Sequence, residues 1–576
     1  MKDGGGPRQA TSLRLAEHVW AVALYSLLAA VFTYPLVSNL DRVNGAGDPA
    51  VMVWSMAWIS HAVTTDPAAL YDANIFHPIE NALAYTDLLL PSALFTAPLY
   101  LATGNALLGF NVVLLLTFVL SGYAVFLLAH RLLAGSSYAS PAALFAGALY
   151  TLSPYRFGHI TQLNSMTTYL LPLILLFMHR YLEDGRRPRD LFLVGIFFAL
   201  NALSGLYYGV FALLMMAAFF AVWSLVNREP PRLRDFLYGV PVFALFGGVL
   251  ALLLGPYLAL SGESDHGRSI ETVAGGSFVP PALLTSPPES ALLGWTPEAF
   301  GVTNENGYPM YELTLYPGLV AASLAAYGLL SRNRRPRASA LYAGLGAVIF
   351  ILSCGPYIPV GDLRIPLPYY LIYEYVPGFD SLRVPARMWA IVMLCIAVLA
   401  GFGLRALLDR LRGRKAVLAL AALSVVAALE FSPTLPVDRF VDRGPPELEP
   451  AYAYLAEEAP EDTPVVAEVP FANPGDAFRE TPRMYRSTHG WWRLVNGYAS
   501  YFPEGYDESR EALDSLPEPE SLEELRSLGV DYVVAHADQY EDDGEDGGEV
   551  LRSLEDEPSL ERVAGDGTAE LYRFEG

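Results

Sequence analysis

Asp48 stands in a glycine-rich turn, GAGDP, with Pro49 behind it and Trp54 and Trp58 following at the spacing of one helix face. Aspartate before proline is the signature of a helix N-cap with proline at the first helical position. The same carboxylate is also a group that can take up a proton, provided it keeps one oxygen free of the cap, and both readings stand. Arg383 and Arg387, in FDSLRVPARMW, lie four apart at a predicted helix start. That spacing puts them on one face, where guanidinium forks beside a helix N-terminus make a phosphate site; pairing with Asp380, or reaching out to water along an apolar stem, is the plainer alternative. The stretch LSPYRFGHITQLNS adds Tyr155, Arg156, His159 and Gln162, and NENGYPMYE adds Glu305, Tyr308 and Glu312, while Asp41 is the nearest acid before Asp48. His159 and Gln162 share one face of a turn, although a loop histidine serves equally well as a hydrogen-bonded structural group. No DxD, HExxH or CxxC occurs, so no residue is assigned to a metal and a divalent cation stays an open option.

These residues need a framework, and composition says which kind. Of 576 residues, 53% are hydrophobic and 17% charged, and several apolar runs reach membrane-spanning length. The chain reads as mainly α, a polytopic helical membrane protein. Its net charge of −23 is two populations, since acids crowd beyond residue 433 while arginines lie in short loops; nucleic-acid binding has no support. Cys354 and Cys395 fall inside apolar runs and read as packing residues.

Arginine clusters around 186–189, 228–234, 332–337 and 410–415 are read as cytoplasmic by the positive-inside rule. Parity then demotes TDLLLPSALFTAPLYLATG, residues 86–104, to an interfacial or re-entrant segment, leaving 39–105 as one long external loop. Predicted spans cover 17–38, 107–130, 141–154, 167–182, 190–206, 207–226, 236–260, 312–331, 338–356, 388–408 and 416–431, about eleven helices. The N-terminus is then cytoplasmic, and the chemistry-bearing residues above gather on the outer side. Ionisable groups at a span edge face a cavity or water, because lipid exposure is costly.

After residue 432 the pattern turns soluble. TPVVAEVPFA, GVDYVVAHA and AELYRFEG read as strands, EPAYAYLAEEA and SLEELRSLG as helices, and EDDGEDGGE as a solvated loop. The organisation is therefore a transmembrane domain, 1–432, and a small extracytoplasmic α/β domain, 433–576.

The order of GAGDP, PYRFGHITQ, YELTLYPGL, SLRVPARMW with LAGFGLRAL, and RSTHGWWRLVNGYASYFP with LRSLGVDYVVAH along the chain resembles the GT-C superfamily of membrane glycosyltransferases, most closely its YfhO-like branch. The resemblance implies transfer of a sugar from a polyprenyl-phosphate donor to an envelope glycan, polymer or lipid on the outer face, with no nucleotide sugar. It also implies a first-loop aspartate as catalytic base, which by position is Asp48. Many relatives carry a second acid or a metal-binding pair; GDP has no adjacent acid, which leaves Asp41 as the second candidate. A base that takes the acceptor proton is worth roughly 10²–10⁴-fold, and Arg383, Arg387 and His159 are the cations that would stabilise the departing lipid phosphate. Tyr155, Arg156, Gln162, Glu305, Tyr308 and Glu312 would line the substrate. One visible carboxylate implies inversion at the anomeric carbon. A transporter or flippase is the competing class, weakened by the absence of an internal repeat and of ionisable groups near the middle of most spans; a glycan-binding envelope scaffold is the third, for which about eleven spans are excessive.

Overall fold

In a computed structural model of the chain, the described residues are 13–40, 48–263, 268–302, 310–331, 336–360, 363–376, 378–434, 448–457, 463–472 and 474–576. Asp41, Glu305 and Tyr308 lie outside them. The chain divides into two compact units: residues 1–38, 114–255 and 261–436 form the first, and 39–113, 256–260 and 437–576 the second. The first loop thus belongs to the same compact body as the C-terminal region.

In the first unit and along the chain, each predicted span contains a helix, but the lengths differ. Among the described residues six helices are long and apolar enough to cross a membrane: Leu15–Phe32, Ala106–Leu133, Leu206–Asn227, Leu233–Leu253, Pro336–Ser353 and Pro385–Leu411. The helices Ala139–Thr151, Leu170–Glu183, Pro188–Ser204 and Leu319–Leu330 are shorter, and Gly413–Glu430 carries Arg414, Lys415 and Glu430 in its 18 residues. A helix of about 14 residues is about 21 Å long, short of the roughly 30 Å hydrocarbon layer. Eleven crossings are therefore an upper reading, and six is the number that length and composition support. The predicted hairpin within 190–226 does turn, at Gly205 between Ser204 and Leu206.

Trp389–Leu411 is the central helix of the first unit, buried along almost its whole length and packed against Leu319–Leu330, Pro336–Ser353 and Ala139–Thr151. Its approach to Leu319–Leu330 is so close that a Cβ on Gly403 would stand 1.9 Å from the Leu324 carbonyl oxygen, the small-residue contact by which helices pack where water gives no drive. Glu430, at the end of Gly413–Glu430, accepts hydrogen bonds from the Leu319 and Val320 backbone N–H groups and the Tyr316 hydroxyl. A carboxylate there satisfies the open donors of a helix start. A short antiparallel hairpin, β1 (Tyr357–Val360) with β2 (Leu363–Pro366), completes this unit.

In the second unit the C-terminal region is a five-stranded mixed sheet. β3 (Val465–Val469) lies parallel to β4 (Arg493–Leu494) on one side and β5 (Tyr532–His536) on the other; β7 (Ala569–Phe574) pairs antiparallel to β5 and to β6 (Leu560–Gly565). β3 and β5 are buried throughout and read as unbroken apolar runs apart from Glu468 and His536, as central parallel strands do. Predicted helices appear at Pro450–Glu457 and Pro519–Ser527. The acidic run is not simply a loop: Ala537–Asp542 and Gly547–Glu555 are helical, and Asp546 caps the second by accepting from the Glu549 N–H. Local capping outweighs the acidic composition there.

The first loop carries the helix expected behind Asp48, Asp48–Thr65, and a second one, Leu90–Thr103, within the segment 86–104. Its segment 74–77 runs along the edge of the C-terminal sheet, where the Leu494 N–H donates to the Asn74 carbonyl, the His77 N–H to the Leu494 carbonyl and the Phe76 N–H to the Asn496 carbonyl.

Candidate active site

The turn 152–168 of the first unit is built around Arg156. Proline at N1 starts the short helix Pro154–Gly158, and the Arg156 side chain, buried at 2% exposure, ties its two ends together. Its Nη1 donates to the Met166 carbonyl at 3.2 Å and to Thr168 Oγ1 at 2.8 Å, its Nη2 to Thr117 Oγ1 at 3.2 Å, and its Cζ lies 5.1 Å from the Phe118 ring centroid. Burial among neutral partners lowers its pKa to about 10, which still leaves it cationic at neutral pH.

Held in this way, the turn presents His159, the C-cap of that helix, with none of its surface exposed. His159 Nδ1 faces the Tyr155 carbonyl at 2.9 Å, and Nε2 faces Glu312 Oε2 at 3.1 Å. Glu312 arrives on the 3₁₀ turn Met310–Leu313, and Arg387 on the 3₁₀ turn Pro385–Met388. Arg387 Nε donates to both Glu312 oxygens, at 2.9 and 3.1 Å, and Nη2 donates to Oε1 as well. Nη2 also reaches Gln162 Oε1 at 3.4 Å, and Gln162 Nε2 donates to the Tyr311 hydroxyl at 2.9 Å. The Tyr155 hydroxyl lies 3.0 Å from that of Tyr208 and donates to the Arg387 carbonyl; the Tyr207 ring sits under the guanidinium, 5.2 Å away.

Burial alone would raise the Glu312 carboxyl, but Arg387 and then His159 outweigh it and hold it well below the ordinary carboxylate range. The result is a buried anion clamped by a forked guanidinium and an imidazole, the geometry in which Arg–carboxylate bonds are strongest. The structure therefore brings Tyr155, His159, Gln162, Glu312 and Arg387 together, with Arg156 bracing the turn behind them. It separates Arg383 from Arg387. The helical turn begins at Pro385, so Arg383 precedes it, exposed, with its backbone N–H donating to the Tyr207 hydroxyl at 2.8 Å, while Arg387 is buried on Glu312. The expected single face fails because proline starts the helix two residues later than the spacing assumed. Tyr207, Tyr208 and Tyr311 carry no sequence signal, since tyrosine at a span edge reads as packing.

In the second unit, Asp48 is the first residue of its helix, half-buried, with buried Pro49 next. Both tryptophans that follow are anchored: Trp54 Nε1 donates to Asn74 Oδ1 at 3.1 Å and Trp58 Nε1 to the Leu70 carbonyl at 2.9 Å. His61 stacks on Trp491 with ring centroids 4.5 Å apart. Of the tryptophan pair in HGWW, Trp492 is buried against Tyr452 and Trp491 is half-buried.

This unit also holds a charged cluster of its own. Glu468 on β3, fully buried, accepts through Oε2 from the Tyr452 hydroxyl at 2.7 Å and from His536 Nε2 at 2.8 Å. Arg483 donates to Glu480 at 2.9 and 3.0 Å, to the Pro470 carbonyl and to Gln539 Oε1. Burial would raise the Glu468 carboxyl, and His536, Arg483 and Tyr452 reverse it to a lowered value; burial raises Glu480 and lowers His536. Among the described residues no three His, Cys, Asp or Glu side chains meet as a metal site would require.

Residues 91–254, less than a third of the chain, match the family model of dolichyl-phosphate-mannose-protein mannosyltransferases. Searched against curated proteins, the sequence finds no match. Among solved structures, the arabinofuranosyltransferase AftD from Mycobacteria is similar at 17% identity and a TM-score of 0.60, over 98% of this chain and 40% of that one. The present chain thus spans well under half of AftD. ArnT from Cupriavidus metallidurans is similar in its apo state at 15% identity and a TM-score of 0.53, over 97% of this chain and 98% of that one. ArnT bound to undecaprenyl phosphate gives 14% identity and 0.52, over 96% and 98%. At such identities the likeness is one of architecture: this chain has the fold of AftD and ArnT, and the YfhO-like branch is not singled out.

Proposed function

We propose that the protein is an integral membrane glycosyltransferase of the GT-C type, of its YfhO-like branch, that moves a sugar from a polyprenyl-phosphate donor to an envelope glycan, polymer or lipid on the outer face. The observation that carries this reading is the fold likeness to ArnT over nearly the full length of both chains, one of the matched ArnT structures being bound to undecaprenyl phosphate. The family match over 91–254 supports it independently.

In the proposed reaction Asp48 accepts the proton of an acceptor hydroxyl while that oxygen bonds to the anomeric carbon. The anomeric carbon–oxygen bond to the carrier breaks, and its electron pair leaves on the lipid phosphate. With a single displacement the anomeric configuration inverts. The base contributes about 10²–10⁴-fold; cationic donors near the growing phosphate charge contribute electrostatically. Arg383 is exposed and has its guanidinium available to an anion, whereas Arg387 and His159 share Glu312 and would act on the phosphate as a pre-organised cluster. Tyr155, Arg156, Gln162 and Glu312 shape the substrate side, and Asp41, Glu305 and Tyr308 complete the proposed set. A divalent cation remains compatible with this chemistry and is assigned no residue.

The test is mass spectrometry of envelope glycans and polymers in a deletion strain rescued with the native gene or with Asp48→Asn at matched membrane abundance. Loss of a sugar modification on deletion, restored by the native gene and not by Asp48→Asn, is the expected outcome. Full restoration by Asp48→Asn would reduce Asp48 to a helix cap, a task asparagine performs equally well.

A further inference from the structure

We propose that Asn74 is a positioning residue for Asp48, locking the helix that Asp48 begins to the C-terminal α/β region. The inference rests on the reading of Asp48 as the base, and it concerns what holds that base in place.

The helix Asp48–Thr65 needs an external anchor. Its mean apolar character is uniform around the axis, and 12 of its residues are buried, so hydrophobic contact alone leaves its rotation and axial position weakly specified. Directional bonds define both. Trp54 lies six residues beyond Asp48, about 9 Å along the axis, and none of its surface is exposed. Its indole N–H ends on Asn74 Oδ1 at 3.1 Å.

Asn74, 5% exposed, spends every side-chain hydrogen-bonding group on this junction. While Oδ1 accepts from Trp54, Nδ2 donates to Ser487 Oγ and to the Trp492 carbonyl, both at 2.9 Å. Its backbone carbonyl accepts from the Leu494 N–H at 2.9 Å, on strand β4. One amide therefore joins the Asp48 helix, the end of the helix Glu480–Ser487 and the sheet edge. The amide orientation is the one the network demands: turned over, Nδ2 would face the Trp54 N–H and Oδ1 the Trp492 carbonyl, two like-to-like contacts. No other side chain of that size offers one acceptor and two donors in this arrangement; aspartate supplies no donor, and leucine supplies neither. Glu480–Ser487 also packs directly on Asp48–Thr65, so the junction is continuous with a helix–helix contact. On this view the C-terminal region acts on the reaction through Asn74 whether or not it touches any substrate.

The experiment uses the full-length protein in nanodiscs and the rescued deletion strain together. Asn74→Leu removes the junction; Trp54→Phe removes the indole N–H and keeps an aromatic ring at that position, so it serves if Asn74→Leu fails to accumulate. Hydrogen exchange read by mass spectrometry is expected to rise at least tenfold in peptides covering 48–58, with peptides covering 465–469 and 532–536 unchanged, and the sugar product in cells is expected to fall at least tenfold at matched abundance. Unchanged exchange at 48–58 in both variants overturns the proposal. So does faster exchange there with product at the native level, while Asp48→Asn still abolishes product. Equal loosening of 48–58 and of the sheet also overturns it, since that marks a general structural role. Failure of the base reading looks different: Asp48→Asn restores product, whatever the exchange shows.

Discussion

Glu312 in the first unit and Glu468 in the second are both carboxylates taken out of water, and the two units hold them by different means. Glu312 meets a forked guanidinium and an imidazole, so both of its oxygens are bonded. Glu468 directs one oxygen to Tyr452 and His536, while the other, fully buried, has no hydrogen-bond partner among the described residues; the Arg483 guanidinium is hydrogen-bonded to Glu480 and stands 3.7 Å from the first Glu468 oxygen. The first arrangement is a closed ion pair, and loss of Glu312 or of Arg387 strands the other's charge. The second draws on Arg483 and on a titratable neighbour, His536, and is therefore open to pH.

The sharpest way to break this contrast is Glu312→Leu, which leaves Arg387 buried and unpaired. We expect a loss of about 3–5 kcal/mol, as for one partner removed from a buried ion pair, seen as a lower melting temperature of the purified protein. The double variant Glu312→Leu with Arg387→Met is expected to regain most of it, since it buries no charge. A double variant no more stable than Glu312→Leu would mean that the cluster is not a closed pair.

A smaller effect distinguishes the second unit. Burial lowers the His536 pKa below its ordinary value near 6.5. As pH falls through that value the unfolded chain binds a proton that the folded one refuses, so stability drops with falling pH until the folded pKa is reached. Protection factors in peptides covering 532–536 are expected to decrease between pH 7.5 and 5.5, and His536→Gln, which keeps a donor for Glu468, is expected to flatten that decrease. The Glu468 shift has the same sign at lower pH: its lowered pKa stabilises the fold above the unfolded carboxylate range, and that stability is lost as pH falls through the folded value. An unchanged slope in His536→Gln would show that His536 does not carry the pH dependence in this range.

The smallest effect is expected where the ions are in water. Arg364 and Glu271 lie 2.8 Å apart with both side chains more than half exposed. Arg364→Ala is expected to leave the melting temperature within reproducibility at physiological salt, because exposed pairs are screened and entropically costly. A clear drop would show that this surface is covered in the native membrane setting.

Much of this architecture is legible in the chain. Apolar runs locate every helix of the predicted spans, because an unbroken apolar stretch can satisfy its backbone only as a helix. VVAEV, YVVAH and AELYRF announce strands by composition, and the three lie side by side in the sheet in the order β3, β5, β7. The site was legible only in part. Glu312, His159, Gln162 and Arg387 stand out as polar groups at span edges, and the structure gathers them, yet their pairing joins positions 75 to 225 residues apart that no local spacing encodes. The Arg383–Arg387 pair is the opposite case: the spacing of four places both on one helix face only if the helix already includes Arg383, and it starts two residues later, at Pro385.

By itself, then, the sequence determined the class of molecule, the placement of helices and strands, and the short list of groups able to do chemistry, because hydrophobic periodicity and backbone satisfaction act within a few turns of chain. The tertiary structure alone decided which of those groups are partners. It made Arg387 a clamp on Glu312, made Glu430 a cap for Leu319, and placed Asn74 between Trp54 and Trp492. Such assignments depend on distances between remote segments, set by packing, and on the high cost of leaving a buried donor or acceptor unpaired.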